Sequence, residues 1–168
     1  LRIKYLFENY DLARECLALY DYDEESLEEM ISCFRISSNA IYPFRSKNDK
    51  EEVCFLRLSP SEEKAFADVI SEIHLIGWLN EKGFPAMRPV VMKTGEFAKE
   101  ISTGWGTYNV SCFAKVPGIS LEDTEGNLSI VRGYGKILGR LHAVLKEYSY
   151  VEKHRSHKEL LKEISDRI

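Results

Sequence analysis

Apolar residues recur at helical spacing at Phe7, Tyr10, Ala13 and Leu17, and the first thirty residues read as helical. The acidic run DYDEESLEE (residues 21–29) separates this helix from the rest of the chain and reads as solvated surface. From Ile31 the pattern changes. ISCFRISS, NAIYPFRS and EVCFLRLS are short runs rich in Ile, Val, Phe, Tyr and Cys, joined at Ser37-Ser38-Asn39 and at Lys47-Asn48-Asp49-Lys50. Short polar joints between such runs predict antiparallel hairpins. Pro43 withholds a ladder hydrogen bond, which puts its strand at an edge or a bulge.

Ser59-Pro60-Ser61-Glu62 reads as a capping box with proline at the first helical position, so a helix is expected from about Pro60 to Lys82. Phe66, Val69, Ile70, Ile73, Ile76 and Gly77 form its apolar stripe, and Gly83 and Pro85 end it. RPVVMKT, EFAKEIS and TYNVSCFAKV predict two or three more strands, with TGWGT as the turn between the last two. After Pro117-Gly118 the strand signals stop. A helix is expected from Ser129 to Tyr148 on the stripe Ile130, Tyr134, Ile137, Leu138, Leu141, Leu145 and Tyr148, and a last one from about His157. Gly135 and Gly139 on the flank of the first of these suggest close approach by another element. The order predicts an α+β fold, an antiparallel sheet of five or six strands with one packed helix inserted after the third.

Composition narrows the function little. Of the 168 residues 44% are apolar and 30% charged, the profile of a globular domain. A net charge of −4 with interspersed signs argues against a nucleic-acid surface. No apolar run approaches a membrane span and no signal peptide opens the chain, so the expected location is cytoplasmic. Cys16, Cys33, Cys54 and Cys112 form no C-x-x-C pair and read as buried free thiols. From the start at Leu1 and the end inside a helical pattern, a piece of a longer polypeptide is expected.

One residue does not fit its surroundings. Along VCFLRLS, Val53, Phe55 and Arg57 share one face of a strand and Cys54, Leu56 and Leu58 the other. Arg57 either lies at the strand's wet end with its stem on apolar neighbours, or is buried and needs an anionic partner. Glu72, at the border of the following helix's stripe, is the candidate partner; it also reads as an ordinary solvated carboxylate. Paired, the two would fix a cation facing phosphate.

CFLRLS followed by ISEIHLIGWLNEKGF resembles the third strand and the glutamate-bearing helix of the N-terminal lobe in the aminoglycoside phosphotransferase/choline kinase-like family, relatives of protein kinases. In that lobe a strand cation pairs with a helix glutamate to hold nucleotide phosphates. ISSNAIYPF resembles the family's first hairpin, with Ser38 and Asn39 in the nucleotide-covering loop; taken alone it reads as a plain hairpin turn. Asparagine there tolerates left-handed backbone. CFAKVPGISLE resembles the last strand, hinge and exit, which implies that Ala114, Lys115 and Val116 lie beside the base. GKILGRLHAV resembles the first helix of the C-terminal lobe, with His142 a packed or hydrogen-bonded structural histidine.

The resemblance covers about residues 30 to 147. It implies a helical extension over 1–30, a kinase-like N-lobe over 31–116, and a hinge exit with the first C-lobe helices over 117–168. It implies the nucleotide-binding half of a small-molecule kinase that moves the γ-phosphoryl of ATP or GTP, with Mg, to a hydroxyl of an aminoglycoside, choline-like, homoserine-like or sugar acceptor. No catalytic-loop aspartate or metal ligand follows His142, and HRSHKEL (154–160) offers none, so the chain alone is expected to be inactive. The bare C-lobe helix stripe is expected to fold back on the sheet or to pair with a second copy. A non-catalytic kinase-like module, or an unrelated α+β interaction domain with an exposed Arg57, remains the alternative. Arg57 in a cleft would be dispensable to the fold.

Overall fold

A computed structural model describes residues 9–31, 35–36, 39–119, 123–124 and 128–149. Helix α1 spans Tyr10–Leu17 and helix α2 Leu27–Met30; strands β1 (Arg35–Ile36), β2 (Ala40–Arg45) and β3 (Val53–Pro60) come next. Helix α3 is Phe66–Glu81, strands β4, β5 and β6 are Arg88–Pro89, Ala98–Thr103 and Gly106–Ala114, and helix α4 is Leu128–Leu145. All pairings are antiparallel, in a six-stranded sheet ordered β1-β2-β3-β6, with β4 and β5 both beyond β6.

Alternation divides the sheet into two faces. Tyr42, Phe44, Cys54, Leu56, Leu58, Val110 and Cys112 point one way and meet Leu12, Ala13, Cys16 and Leu17 of α1 in one buried core. The start of α1 is capped by Asn9, whose Oδ1 accepts from the Leu12 N–H at 2.9 Å. The opposite face carries Phe113 and Ala98, which pack against Val69, Ile73 and Ile76 of α3. The expected stripe of α3 thus docks as its spacing required.

Several expectations need correction. The acidic run is not merely a solvated spacer: α2 forms at its end, and its backbone joins the end of β2 and the loop after it through Asp23 N to Arg45 O (2.9 Å) and Lys47 N to Asp21 O (3.1 Å). Helix α3 starts at Phe66, not Pro60. β3 runs on to Pro60, opposite Tyr108, and Ser61 commits both its N–H and its hydroxyl to the Thr107 carbonyl, each at 3.0 Å. The capping-box residues are therefore held by the sheet, and Ala65 caps the helix without a side-chain bond. RPVVMKT is strand only at Arg88–Pro89, because Met92 N bonds to Glu96 O in a turn completed by Gly95 at φ 91°. Pro43 pairs with Phe55 of β3 on one side, and the described part of β1 pairs β2 only at Ala40 and Ile41.

Helix α4 forms where expected but ends at Leu145, short of Tyr148; no residue in it is buried, and Tyr134, Ile137 and Leu138 are exposed. A Cβ added at Gly135 or Gly139 would meet nothing within 4 Å, so no described element approaches that flank. His142 is exposed rather than packed. The C-terminal end of the helix and the residues just after it reach the sheet lobe: Arg140 Nη2 donates to Gly83 O at 2.7 Å, Lys82 pairs with Glu147 at 2.8 Å, and the Tyr148 ring meets Trp78 at a tilt, centroids 4.9 Å apart. Cys16, Cys54 and Cys112 are buried free thiols; Cys33 and the helix expected from His157 lie outside the described residues. No helix among the described residues is long and apolar enough to cross a membrane.

Candidate functional site

The register puts Ser111 opposite Arg57 and Phe113 opposite Phe55, all on the α3 side of the sheet. Arg57 is only 8% exposed. It is not the wet end of a strand. Burying a guanidinium costs several kcal/mol unless it is paired and hydrogen-bonded. Its Nη1 donates to Glu72 Oε1 at 2.7 Å, its Nε to Ser111 Oγ at 3.0 Å, and its plane lies 4.7 Å from the centre of the Phe113 ring. Nη2 is buried and has no hydrogen-bond partner among the described residues.

Glu72 is where a helix stripe meets its polar border, and it holds two cations. Oε1 accepts from Arg57, and Oε2 accepts from Lys64 Nζ at 2.5 Å. Burial opposes the charge of Glu72, but the hydrogen bonds and positive charge of Arg57 and Lys64 outweigh it, so the carboxyl titrates below its ordinary value of 4.5.

A second polar cluster adjoins the first. Ser59, two residues beyond Arg57 on β3, donates to Asn39 Oδ1 at 2.6 Å. Its cross-strand partner Asn109 donates through Nδ2 to the Lys64 carbonyl at 2.7 Å, while the buried Asn109 Oδ1 has no partner among the described residues. Asn39 thus uses its side chain to anchor the hairpin to β3. Its backbone does not use the left-handed conformation that asparagine tolerates, since only glycines have positive φ among the described residues. Ser38 lies outside the described residues.

The remaining candidates sit at the other end of the strands. Ala114 closes β6 opposite Cys54, three residues or about 10 Å along β3 from Arg57. The Lys115 N–H is committed to Val53 O at 2.8 Å, and Lys115 and Val116 are exposed. Gly118, at φ 135°, turns the chain away. The order along the sheet is therefore Asn39, Arg57 with Glu72, then Ala114 to Val116. Among the described residues no group of three His, Cys, Asp or Glu side chains could hold a metal ion.

Sequence reasoning missed Lys64, Ser111, Phe113 and the Ser59–Asn109 pair. One signal was available: Asn109 and Ser111 alternate in the otherwise apolar NVSCFA and mark a polar face on β6. Lys64 left none, because its reach to Glu72 depends on the turn that replaces the expected helix start. A cavity of about 1040 Å³ lies elsewhere, between α3 and the β4–β5 segment, lined by Ile70, Trp78, Val91 and Phe97 among others. None of the candidate residues lines it; its walls are mostly apolar, and Arg88, the arginine among them, is paired with Glu52.

No protein-family model matches this chain. No curated protein matches it either. Solved structures do. An amicoumacin kinase, determined in complex with AMP-PNP, Ca2+ and Ami, superposes with a TM-score of 0.71 at 18% identity, over 89% of this chain and 43% of that one. A microcompartment-associated aminopropanol kinase superposes with a TM-score of 0.66 at 18% identity, over 84% of this chain and 42% of that one. The chain therefore has a kinase-like fold and spans less than half the length of these neighbours.

Proposed function

We propose that this chain is the nucleotide-binding half of a small-molecule kinase of the aminoglycoside phosphotransferase/choline kinase-like kind, whose γ-phosphoryl donor is ATP or GTP. The carrying observation is the Arg57–Glu72 ion pair at the strand–helix junction of a kinase-like fold. A buried arginine fixed by a carboxylate, a serine and a ring is a preorganised positive charge, which is what a phosphate subsite requires. The AMP-PNP and divalent ion named for one structural neighbour support the same reading.

The residues divide into two ends. The hairpin at Ser38 and Asn39, with Arg57 and Glu72, forms the phosphate end. Ala114, Lys115 and Val116 form the base end, where exposed backbone at Val116 would meet the edge of a nucleobase. This chain's task is to bind and orient the nucleotide. Mg supplies charge neutralisation on the transferring phosphoryl group when bound. Its ligands and the acceptor-binding surface belong, in this proposal, to a C-lobe of which 117–168 is the beginning. The division into an extension over 1–30 and a lobe over 31–116, the acceptor's hydroxyl chemistry and a cytoplasmic location are part of the same proposal. The chain alone then binds nucleotide without turnover.

The test is a titration of the chain with ATP followed by NMR. Shifts concentrated at Asn39, Arg57 and residues 113–117 are expected, with weak affinity on the order of 1 mM. Shifts scattered elsewhere, or none at high ATP, would overturn the site, and phosphoryl transfer by the chain alone would overturn its proposed inactivity.

A further inference from the structure

Resting on the nucleotide reading, we infer that the cation touching the nucleotide's phosphates is Lys64, and that Arg57 acts chiefly as the buried post holding Glu72, and through it Lys64, in place. Arg57 has little left to offer a ligand: Nε is bonded to Ser111, Nη1 to Glu72, and Nη2 is enclosed. Lys64 is different. Its side chain is 30% exposed, and an ammonium with three donors can keep one on Glu72 while directing another to a phosphate oxygen.

The position of Lys64 is built by buried polar groups. Its N–H donates to the Pro60 carbonyl at 3.1 Å, and its own carbonyl accepts from Asn109, which is fully buried in the central strand. An asparagine at such a position carries a desolvation cost, so its contact with one loop carbonyl is a specific constraint on that loop. Asn109 pairs with Ser59, and Ser59 holds Asn39. The turn bearing Lys64 and the hairpin bearing Asn39 are thus fastened to the same cross-strand pair, at the phosphate end.

Charge points the same way. Arg57 and Lys64 share the one carboxylate of Glu72, so these three side chains together sum to one positive charge. Glu72 keeps its charge because its carboxyl is held below the ordinary range. An arriving phosphate completes the neutralisation from the solvent side, where Lys64 lies.

The experiment compares ATP with adenosine on the full chain, by NMR titration. Lys64→Met is expected to weaken ATP binding about tenfold, the scale of one charge-assisted contact, and to leave adenosine binding unchanged. Lys64→Arg should retain most of the ATP affinity, and Lys64→Gln should behave as Lys64→Met while keeping a polar tip. Wild-type ATP affinity in both Lys64→Met and Lys64→Gln would overturn this inference and leave the nucleotide site standing. Equal losses for ATP and adenosine would also overturn it, since that marks a structural role. Failure of the wild-type chain to bind ATP would remove the nucleotide site itself, and Lys64's role with it.

Discussion

The two faces of the sheet are built on different principles. The face under α1 is closed and apolar: Leu56, Leu58, Val110 and Cys112 meet Leu12, Ala13, Cys16 and Leu17 with almost no solvent access. The face under α3 is apolar only where the helix docks, on Phe113 and Ala98. Beside that contact it carries Arg57, Ser59, Asn109 and Ser111, all buried and all polar. Adjacent residues of the same two central strands, β3 and β6, supply both. One face contributes stability through burial, and the other holds charge where water is scarce. The period of two along a strand lets eight residues of β3 do both jobs.

The difference can be broken from either side. Leu56→Ala on the closed face should cost about 2–5 kcal/mol, read as a lower denaturant midpoint, because a fully buried leucine leaves a cavity that neighbours only partly fill. If the loss is under about 1 kcal/mol, the α1 face is not the stabilising core. Arg57→Ala should cost about 1–3 kcal/mol and weaken nucleotide binding as well. The reading of a cleft arginine dispensable to the fold does not hold for a side chain this enclosed, packed on Phe113 and bonded to Ser111. A variant with unchanged stability would restore it.

Acid sharpens the same contrast. The Glu72 carboxyl titrates below 4.5 in the folded chain, so its contribution is fully present above that pH and is lost as pH falls through the folded value. Urea unfolding across the acidic range should show this loss in the wild type and a smaller one in Glu72→Gln. Equal slopes for both would mean the carboxylate contributes nothing to folding.

Helix α4 offers a third region with neither kind of anchoring. Gly135→Ala should raise the melting midpoint slightly, by about 0.5–1 kcal/mol of local helix stability, since the added Cβ meets open space. A decrease would reveal an element packed on that flank. Ile137→Glu should change stability by less than about 0.5 kcal/mol, because the side chain is exposed. Its effect should appear in sedimentation, as a shift toward monomer if a second copy covers the stripe through Tyr134, Ile137 and Leu138 in solution.

How much of this was legible depended on range. Alternation within VCFLRLS separated Arg57 from Leu56, and helical spacing set the stripe of α3 and the border position of Glu72; both are properties of a few consecutive residues. The start of α3 was misread because Ser59-Pro60-Ser61-Glu62 has the chemistry of a cap, yet Pro60 pairs with Tyr108 and Ser61 with Thr107, nearly fifty residues on. The glycines of α4 were misread because two small residues on one flank suit a close neighbour equally well whether or not one is there.

By itself the sequence determined most of the elements though not all their bounds, the antiparallel class, the two faces of β3 and the residues able to form an ion pair, because local periodicity and backbone preference act over one or two turns. Only the tertiary structure decided that Arg57 is enclosed by Ser111 and Phe113, that Lys64 shares Glu72, and that Asn109 ties the Lys64 turn to the Asn39 hairpin. Those contacts depend on the register of β3 against β6. That register is set by the packing of α1 on one face and α3 on the other, and no short stretch of residues contains it.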